Sequence, residues 1–182
     1  MSITCIVSGG QTGADRGGLD AALYCSIPHS GWCPKNRKAE DGKIPIKYNL
    51  QEMPTEGYLP RTQRNVIDSD ATLIFTYGEL EGGSLKTFEF AIKHNKPYLH
   101  VDLIKLKRQE SVEVIVNWLE VNCPEKCVLN VAGSRASKAT GIEKVVMVRM
   151  VDVISKVNGK IYYPLQEENL GSVSPQSGFR VC

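Results

Sequence analysis

The chain has 182 residues, 42% of them hydrophobic and 23% charged, with a formal net charge of +2. That length suits one domain with a substantial core, the charge is too small to argue for nucleic acid, and no apolar run approaches membrane-spanning length. Met1 leads into a strand-like run without a signal-peptide pattern, so the expected compartment is the cytoplasm and the six scattered cysteines are expected to be reduced.

Ile3 to Val7 reads as a strand and runs into Ser8-Gly9-Gly10-Gln11-Thr12-Gly13-Ala14-Asp15-Arg16-Gly17-Gly18; Leu19, Ala22 and Leu23 then mark a helix. Strand, glycine turn and helix is a context in which backbone N–H groups converge on an anion. No Lys-Ser or Lys-Thr follows the glycines, which argues against a P-loop, and the G-x-G-x-x-G dinucleotide pattern is absent. A tight turn without chemical meaning is the plainer alternative, but the polar residues Gln11, Thr12, Asp15 and Arg16 around the glycines favour an anion or nucleotide site. Thr12 with Asp15 three residues on reads as a capping box with Thr12 the cap. Gly17 and Gly18, unfavourable inside a helix, imply close approach to the sheet or to a ligand.

Ser26 to Cys33 reads as a second strand region, weakened by Pro28 and Gly31. Pro34 to Pro60 lacks periodicity and is either a solvated excursion or a basic lid, with Lys35, Arg37 and Lys38 at its start. A helix is expected from Pro60 to about Asp68, with Arg61, Arg64, Asn65 and Asp68 on one stripe. Such a stripe is usually a solvated face with Arg64 and Asp68 paired, and gains meaning if it delivers an arginine to the glycine turns. Ala71 to Thr76 has the continuous apolar character of a buried parallel strand.

A second glycine turn follows, Tyr77 to Ser84, with Ser84 as the expected cap of a helix burying Leu85, Phe88, Ala91 and Ile92. Glu89 is as readily an exposed partner of Lys93 as a functional carboxylate. Tyr98 to Val101 is the next strand, ending at Asp102, and Val112, Ile115, Val116 and Leu119 mark another helix. Cys127 to Val131 is a strand entering a third small-residue turn, Ala132 to Ser137, and Ile142 to Val157 carries a 3.6 period. Cys123 and Cys127 lack C-x-x-C spacing and His29, His94 and His100 stand alone, so no metal site is expected.

Alternating strands and helices imply an α/β fold with a mainly parallel sheet and helices on both faces, residues 1–158 forming the anion- or nucleotide-binding domain and 159–182 a tail. All three glycine turns follow strands and therefore belong to one edge of the sheet, where ligands of such folds bind. The expected pocket takes donors from Gly9, Gly10, Gln11, Thr12, Gly13, Asp15, Gly82, Gly83, Ser84, Thr87, Gly133 and Ser134. Arg16, Arg61, Arg135 and Lys86 supply charge, and the ligand is a small anion such as a phosphate.

These turns resemble the motifs of the lysine-decarboxylase-like superfamily, often called SLOG, which includes cytokinin-activating phosphoribohydrolases and molybdenum cofactor carrier proteins. Gly9-Gly10-Gln11-Thr12-Gly13 resembles the family's glycine-rich strand–helix turn, Arg61 before Asp70-Ala71 its arginine helix, and Gly82-Gly83-Ser84-Leu85-Lys86-Thr87-Phe88-Glu89 its last loop. The family's Gly-Ser element stands late here, in Val131-Ala132-Gly133-Ser134-Arg135, an order that implies circular permutation and resembles the molybdenum-carrier branch. The resemblance implies a Rossmann-like three-layer fold, a homo-oligomer (dimer or tetramer), and a pocket for molybdenum cofactor or another phosphate-bearing nucleotide derivative. In the phosphoribohydrolases an arginine and a glutamate attend N-glycosidic cleavage, and Arg61 and Glu89 are the matching positions if this chain is an enzyme. Leu85-Lys86 displaces the loop by one residue, turning the carboxylate about 100° around the helix. A non-catalytic binder is therefore the first expectation, and an N-glycosidase acting on nucleoside monophosphates the alternative.

Overall fold

The central sheet is parallel throughout and is built from β1 (Ser2–Val7), β2 (His29–Ser30), β7 (Ala71–Thr76), β8 (Tyr98–Asp102) and β9 (Lys126–Gly133), in the order β2-β1-β9-β7-β8. The structure, a computed structural model, describes residues 1–163; residues 164–182 of the expected tail lie outside the described residues. Chain order is broken at the middle, where the last strand lies between β1 and β7. From β1 the chain steps outward to β2 on one side, and from β7 to β8 on the other. Strand order therefore reverses around β9, which opens a crevice at its carboxyl end.

With right-handed crossovers, α1 (Ala14–Tyr24), α4 (Arg108–Asn122) and α5 (Ile142–Asn158) cover one face, and α2 (Tyr58–Ile67) and α3 (Gly82–Lys93) the other. Alternation along the strands gives each face its character. Leu73, Phe75, Leu129 and Val131 join Ile115, Leu119, Ile142, Val146 and Met150 in the main core. Thr72 and Asn130, joined by a 3.3 Å hydrogen bond, line the other face. A polar sheet face calls for a small, polar helix face, and α3 buries Ser84, Thr87 and Ala91 there. Leu85 and Ile92, expected inside, are 36% and 52% exposed.

The two glycines inside α1 have separate reasons. A Cβ on Gly18 would stand 2.6 Å from Val131 Cβ on β9, and one on Gly17 would stand 2.5 Å from the Glu143 carbonyl oxygen of α5. α1 is thus wedged between the sheet and α5, which is the close approach the sequence implied.

The expected second strand divides in two. Gly31, at φ +141° and packed on Ser8, sends His29–Ser30 into the main sheet and β3 (Trp32–Cys33) into a pairing with β6 (Gln51–Glu52). The segment from Pro34 to Pro60 is ordered, contrary to its irregular sequence. A hairpin of β4 (Lys38–Ala39) and β5 (Gly42–Lys43) lies within it. Buried Arg37 knits the segment by donating to the carbonyls of Ile44, Pro45, Tyr48 and Leu50. Ile44, Tyr48, Ala39, Cys33 and Leu19 form a satellite core there. α2 begins at Tyr58, so Pro60 sits within its first turn rather than opening it. After α5, Gly159 adopts the left-handed conformation and Tyr162 returns to donate to the Cys25 carbonyl.

Candidate anion-binding crevice

The turns after β1, β7 and β9 emerge from three adjacent strand ends on one edge of the sheet. The first and third touch directly: a Cβ on Gly13 would lie 2.4 Å from the Ser134 carbonyl oxygen, and one on Gly133 2.9 Å from Ala14 Cβ. β1 and β7 are separated by β9, so the strand ends that lead into the first and second turns lie about 10 Å apart, two strand spacings.

Arg61 is the residue that α2 brings to this edge. Its guanidinium lies flat against Gly9, where an added Cβ would fall 1.7 Å from Nη1. Nη1 donates to Asp15 Oδ2 at 3.0 Å, an ion pair whose side chains are 11% and 6% exposed. Nε is buried and has no acceptor. An unsatisfied buried donor costs about 1–3 kcal/mol, and with Nη1 occupied it is the side-on Nε–Nη2 edge that remains to receive a two-oxygen acceptor. The polar stripe of α2 is therefore divided. Arg64 and Asp68 pair at 2.8 Å on the outer side, while Asn65 holds the Trp32 backbone and Arg61 points into the site.

Burial places the Asp15 carboxyl above the ordinary carboxylate range, although Arg61, the Gln11 N–H and Arg16 all pull against it. Its hydrogen bond to the Gln11 N–H corrects the expected capping box. Thr12 is not the cap; Gly13 is, at φ +85°. The Thr12 hydroxyl instead donates to Glu40 and accepts from the Ala136 N–H.

Protein acceptors take several N–H groups before and at the amino end of α1. The N–H groups of Gln11, Thr12, Gly13 and Ala14 go to Asp15, the Gln11 amide oxygen, Glu143 and the Ser134 carbonyl. Four of this turn's N–H groups are thus held by protein acceptors, two of them far along the chain, rather than left for a ligand. Glu143 is one of them, and burial holds its carboxyl above the usual range against the Gly13 N–H. Gly10, at φ +73°, is roofed by Ile44 and Leu50.

The second turn is more open. Glu81, not Ser84, is the cap of α3; the Ser84 hydroxyl accepts from the Glu81 N–H at 3.0 Å and donates to its carbonyl. The Thr87 hydroxyl is also spent, on the Gly83 carbonyl. Gly82 and Gly83 occupy the first two positions of α3, their N–H groups have no acceptor among the described residues, and a Cβ on either would meet nothing within 4 Å. A helix start with two open amides favours negative charge. The turn is braced from β8, where Asp102 accepts from the Gly78 N–H and His100 bonds Thr76.

The remaining cations are engaged. Both terminal nitrogens of Arg16 bind Asp41, and its Nε donates to the Gly10 carbonyl. Arg135 pairs with Glu40 at 3.2 Å. Lys86 pairs with Glu89 at 2.6 Å on an exposed face, so Glu89 faces Lys86 rather than the anticipated Lys93. Glu40, Asp41 and Glu143 escaped the motif reading, since none lies in a glycine turn. The available signal was an acidic pair set in an otherwise basic stretch, and it makes the segment over the site acidic at its tip rather than basic.

Among the described residues no three His, Cys, Asp or Glu side chains gather as a metal group, and no helix is long and apolar enough to cross a membrane. A separate groove beside the Arg108–Asp152 ion pair, lined also by Gln109, Val112, Ser155 and Lys156, shares no residue with the glycine turns.

The model of the circularly permutated YpsA SLOG family matches residues 6–154, and the chain belongs to that family. A crystal structure from Syntrophus aciditrophicus SB, of a protein named "putative molybdenum carrier protein", is similar at 46% identity. The match covers 84% of this chain and 95% of that one, with a TM-score of 0.79. No curated protein matches the chain.

Proposed function

We propose that this member of the permutated SLOG family binds a small anionic ligand bearing phosphate or a similar oxyanion, without transforming it. The observation that carries the reading is Arg61: buried, pinned over Gly9 by Asp15, and left with an unsatisfied Nε. The open Gly82–Gly83 amides supply a second foothold about two strand spacings away, a span suited to a phosphate and the body attached to it. Gly9 leaves room for the guanidinium to lie flat. The name of the Syntrophus relative points to a molybdenum-containing ligand, and molybdenum cofactor is the first to test, its phosphate on one foothold and the body attached to it reaching toward the other. A phosphorylated nucleotide derivative is the broader class.

Mass spectrometry of ligand co-purifying with the protein tests identity, and Arg61→Ala tests place. At least ten-fold weaker binding is expected for the variant, since a buried charge-assisted contact is lost. Undiminished binding by Arg61→Ala would remove the crevice from consideration. The hydrolytic alternative needs Glu89 at the sugar, whereas that side chain is 45% exposed and paired with Lys86. Release of free base from a nucleoside monophosphate, abolished by Glu89→Gln, would replace binding with catalysis. We also propose self-assembly in the cytoplasm as a dimer or tetramer, supported by exposed Leu59, Leu85 and Ile92 on α2 and α3 and measurable by light scattering.

A further inference from the structure

The β4–β5 hairpin pairs Lys38 with Lys43 and Ala39 with Gly42, so Glu40 and Asp41 are the two residues of its tip. Both reach into the glycine turns. The Glu40 carboxylate receives the Thr12 hydroxyl, the Ser137 N–H at 3.1 Å, the Ser137 hydroxyl at 2.6 Å and Arg135 Nε at 3.2 Å. Two hydroxyls, one amide and one guanidinium converging on two oxygens is the donor set that a phosphate group requires. Asp41 takes the Arg16 fork at 2.6 and 2.8 Å.

Apolar packing does not hold the tip. Ala39 and Ile44 anchor the hairpin in the satellite core, but Asp41, Gly42 and Lys43 are exposed, a Cβ on Gly42 would meet nothing within 4 Å, and the Glu40 side chain, 18% exposed, is covered by the polar groups it bonds. Hydrogen bonds therefore fasten it, chiefly the carboxylate contacts, with the Glu40 N–H donating to the neutral Gln11 Oε1 beside them. A stronger anion offers the same donors more charge and more oxygens.

We propose that the Glu40–Asp41 tip is a built-in occupant of a second anion subsite, formed by Thr12, Arg135 and Ser137. A ligand with more than one phosphate-like group displaces it. The inference rests on the reading that the adjoining crevice takes an anion. It gives the 34–60 segment a role, which is to cover the site with its own carboxylates until ligand arrives.

Inorganic pyrophosphate, titrated calorimetrically into wild type, Glu40→Ala and Arg61→Ala, tests both ideas separately. The expected result is at least ten-fold tighter binding by Glu40→Ala, because the competing internal carboxylate is gone. Equal or weaker binding by Glu40→Ala, with Arg61→Ala impaired, overturns the displaced-tip proposal and leaves the crevice standing. Tighter binding by Glu40→Ala with Arg61→Ala unaffected does the reverse. Hydrogen exchange on wild type gives an answer independent of the variant's folding. Pyrophosphate is expected to speed exchange at residues 39–43 and slow it at 134–138; a tip that slows or stays unchanged overturns the proposal.

Discussion

Gly9→Ala isolates the Arg61–Asp15 pair more cleanly than either charged residue does. The new methyl would fall 1.7 Å from Arg61 Nη1, 2.3 Å from Cζ and 2.8 Å from Nε, with no backbone atom among these nearest neighbours. Ordinary contact lies near 3.5 Å, so the guanidinium must retreat by about 2 Å. The 3.0 Å bond to Asp15 does not survive that movement. Breaking a buried pair costs about 3–5 kcal/mol; the Gln11 N–H stays on Asp15, so about 3 kcal/mol is expected. For a chain of this size that corresponds to a Tm lower by roughly 6–12 °C. The assay is thermal denaturation of wild type, Gly9→Ala, Arg61→Ala and the double variant. With Arg61 already truncated the methyl has nothing to displace, so the double variant should be no less stable than Arg61→Ala. The pH dependence follows from Asp15, whose carboxyl burial has raised. A raised acid favours the fold below its unfolded value and loses that advantage as pH rises through the folded one, so the penalty should shrink between pH 7 and pH 4. An equal loss in both backgrounds would refute the assignment of Gly9 as the seat of the guanidinium.

Gly18→Ala sets a methyl 2.6 Å from Val131 Cβ; overpacking of about 1–3 kcal/mol should outweigh the helix-propensity gain of up to about 1 kcal/mol and lower Tm. Gly83→Ala meets open space, so it should leave Tm unchanged or slightly raised while weakening anion binding, as isothermal titration can show. The Glu40 carboxyl is raised by burial but lowered further by Ser137, Thr12 and Arg135, and that of Asp41 is lowered chiefly by Arg16. Depressed acids stabilise above their unfolded values and lose this as pH falls through the folded ones. Rate-corrected hydrogen exchange at residues 38–43 should therefore accelerate below about pH 4 before the central sheet opens. Burial pushes the Cys25 thiol up to about 12 and raises Cys127, whose sulfur sits 3.0 Å from that of Cys123. Iodoacetamide at pH 7.5 should then label Cys5 in the native protein while sparing Cys25 and Cys127, with mass spectrometry of the peptides as the check.

The strands, the helix succession and the shared edge of the three turns were legible in the chain because each depends on local pattern: the apolar run Ala71–Thr76, the periods in α4 and α5, and glycines directly after strands. Permutation was legible too, through the late Gly133-Ser134-Arg135. Which donors remain for a ligand was decided only by tertiary structure. Thr12, Ser84 and Thr87 have the right chemistry for an anion, yet their hydroxyls bond protein partners. Glu143, 130 residues from Gly13, accepts the Gly13 N–H, and Glu40 and Asp41 reach the site from a segment with no periodicity. A hydrogen-bonding group's availability is a property of everything packed around it, and a linear pattern records only its type. Arg61 shows the same division: its spacing placed it on a polar stripe, but only the fold turned it inward, against a glycine, with one nitrogen left unsatisfied.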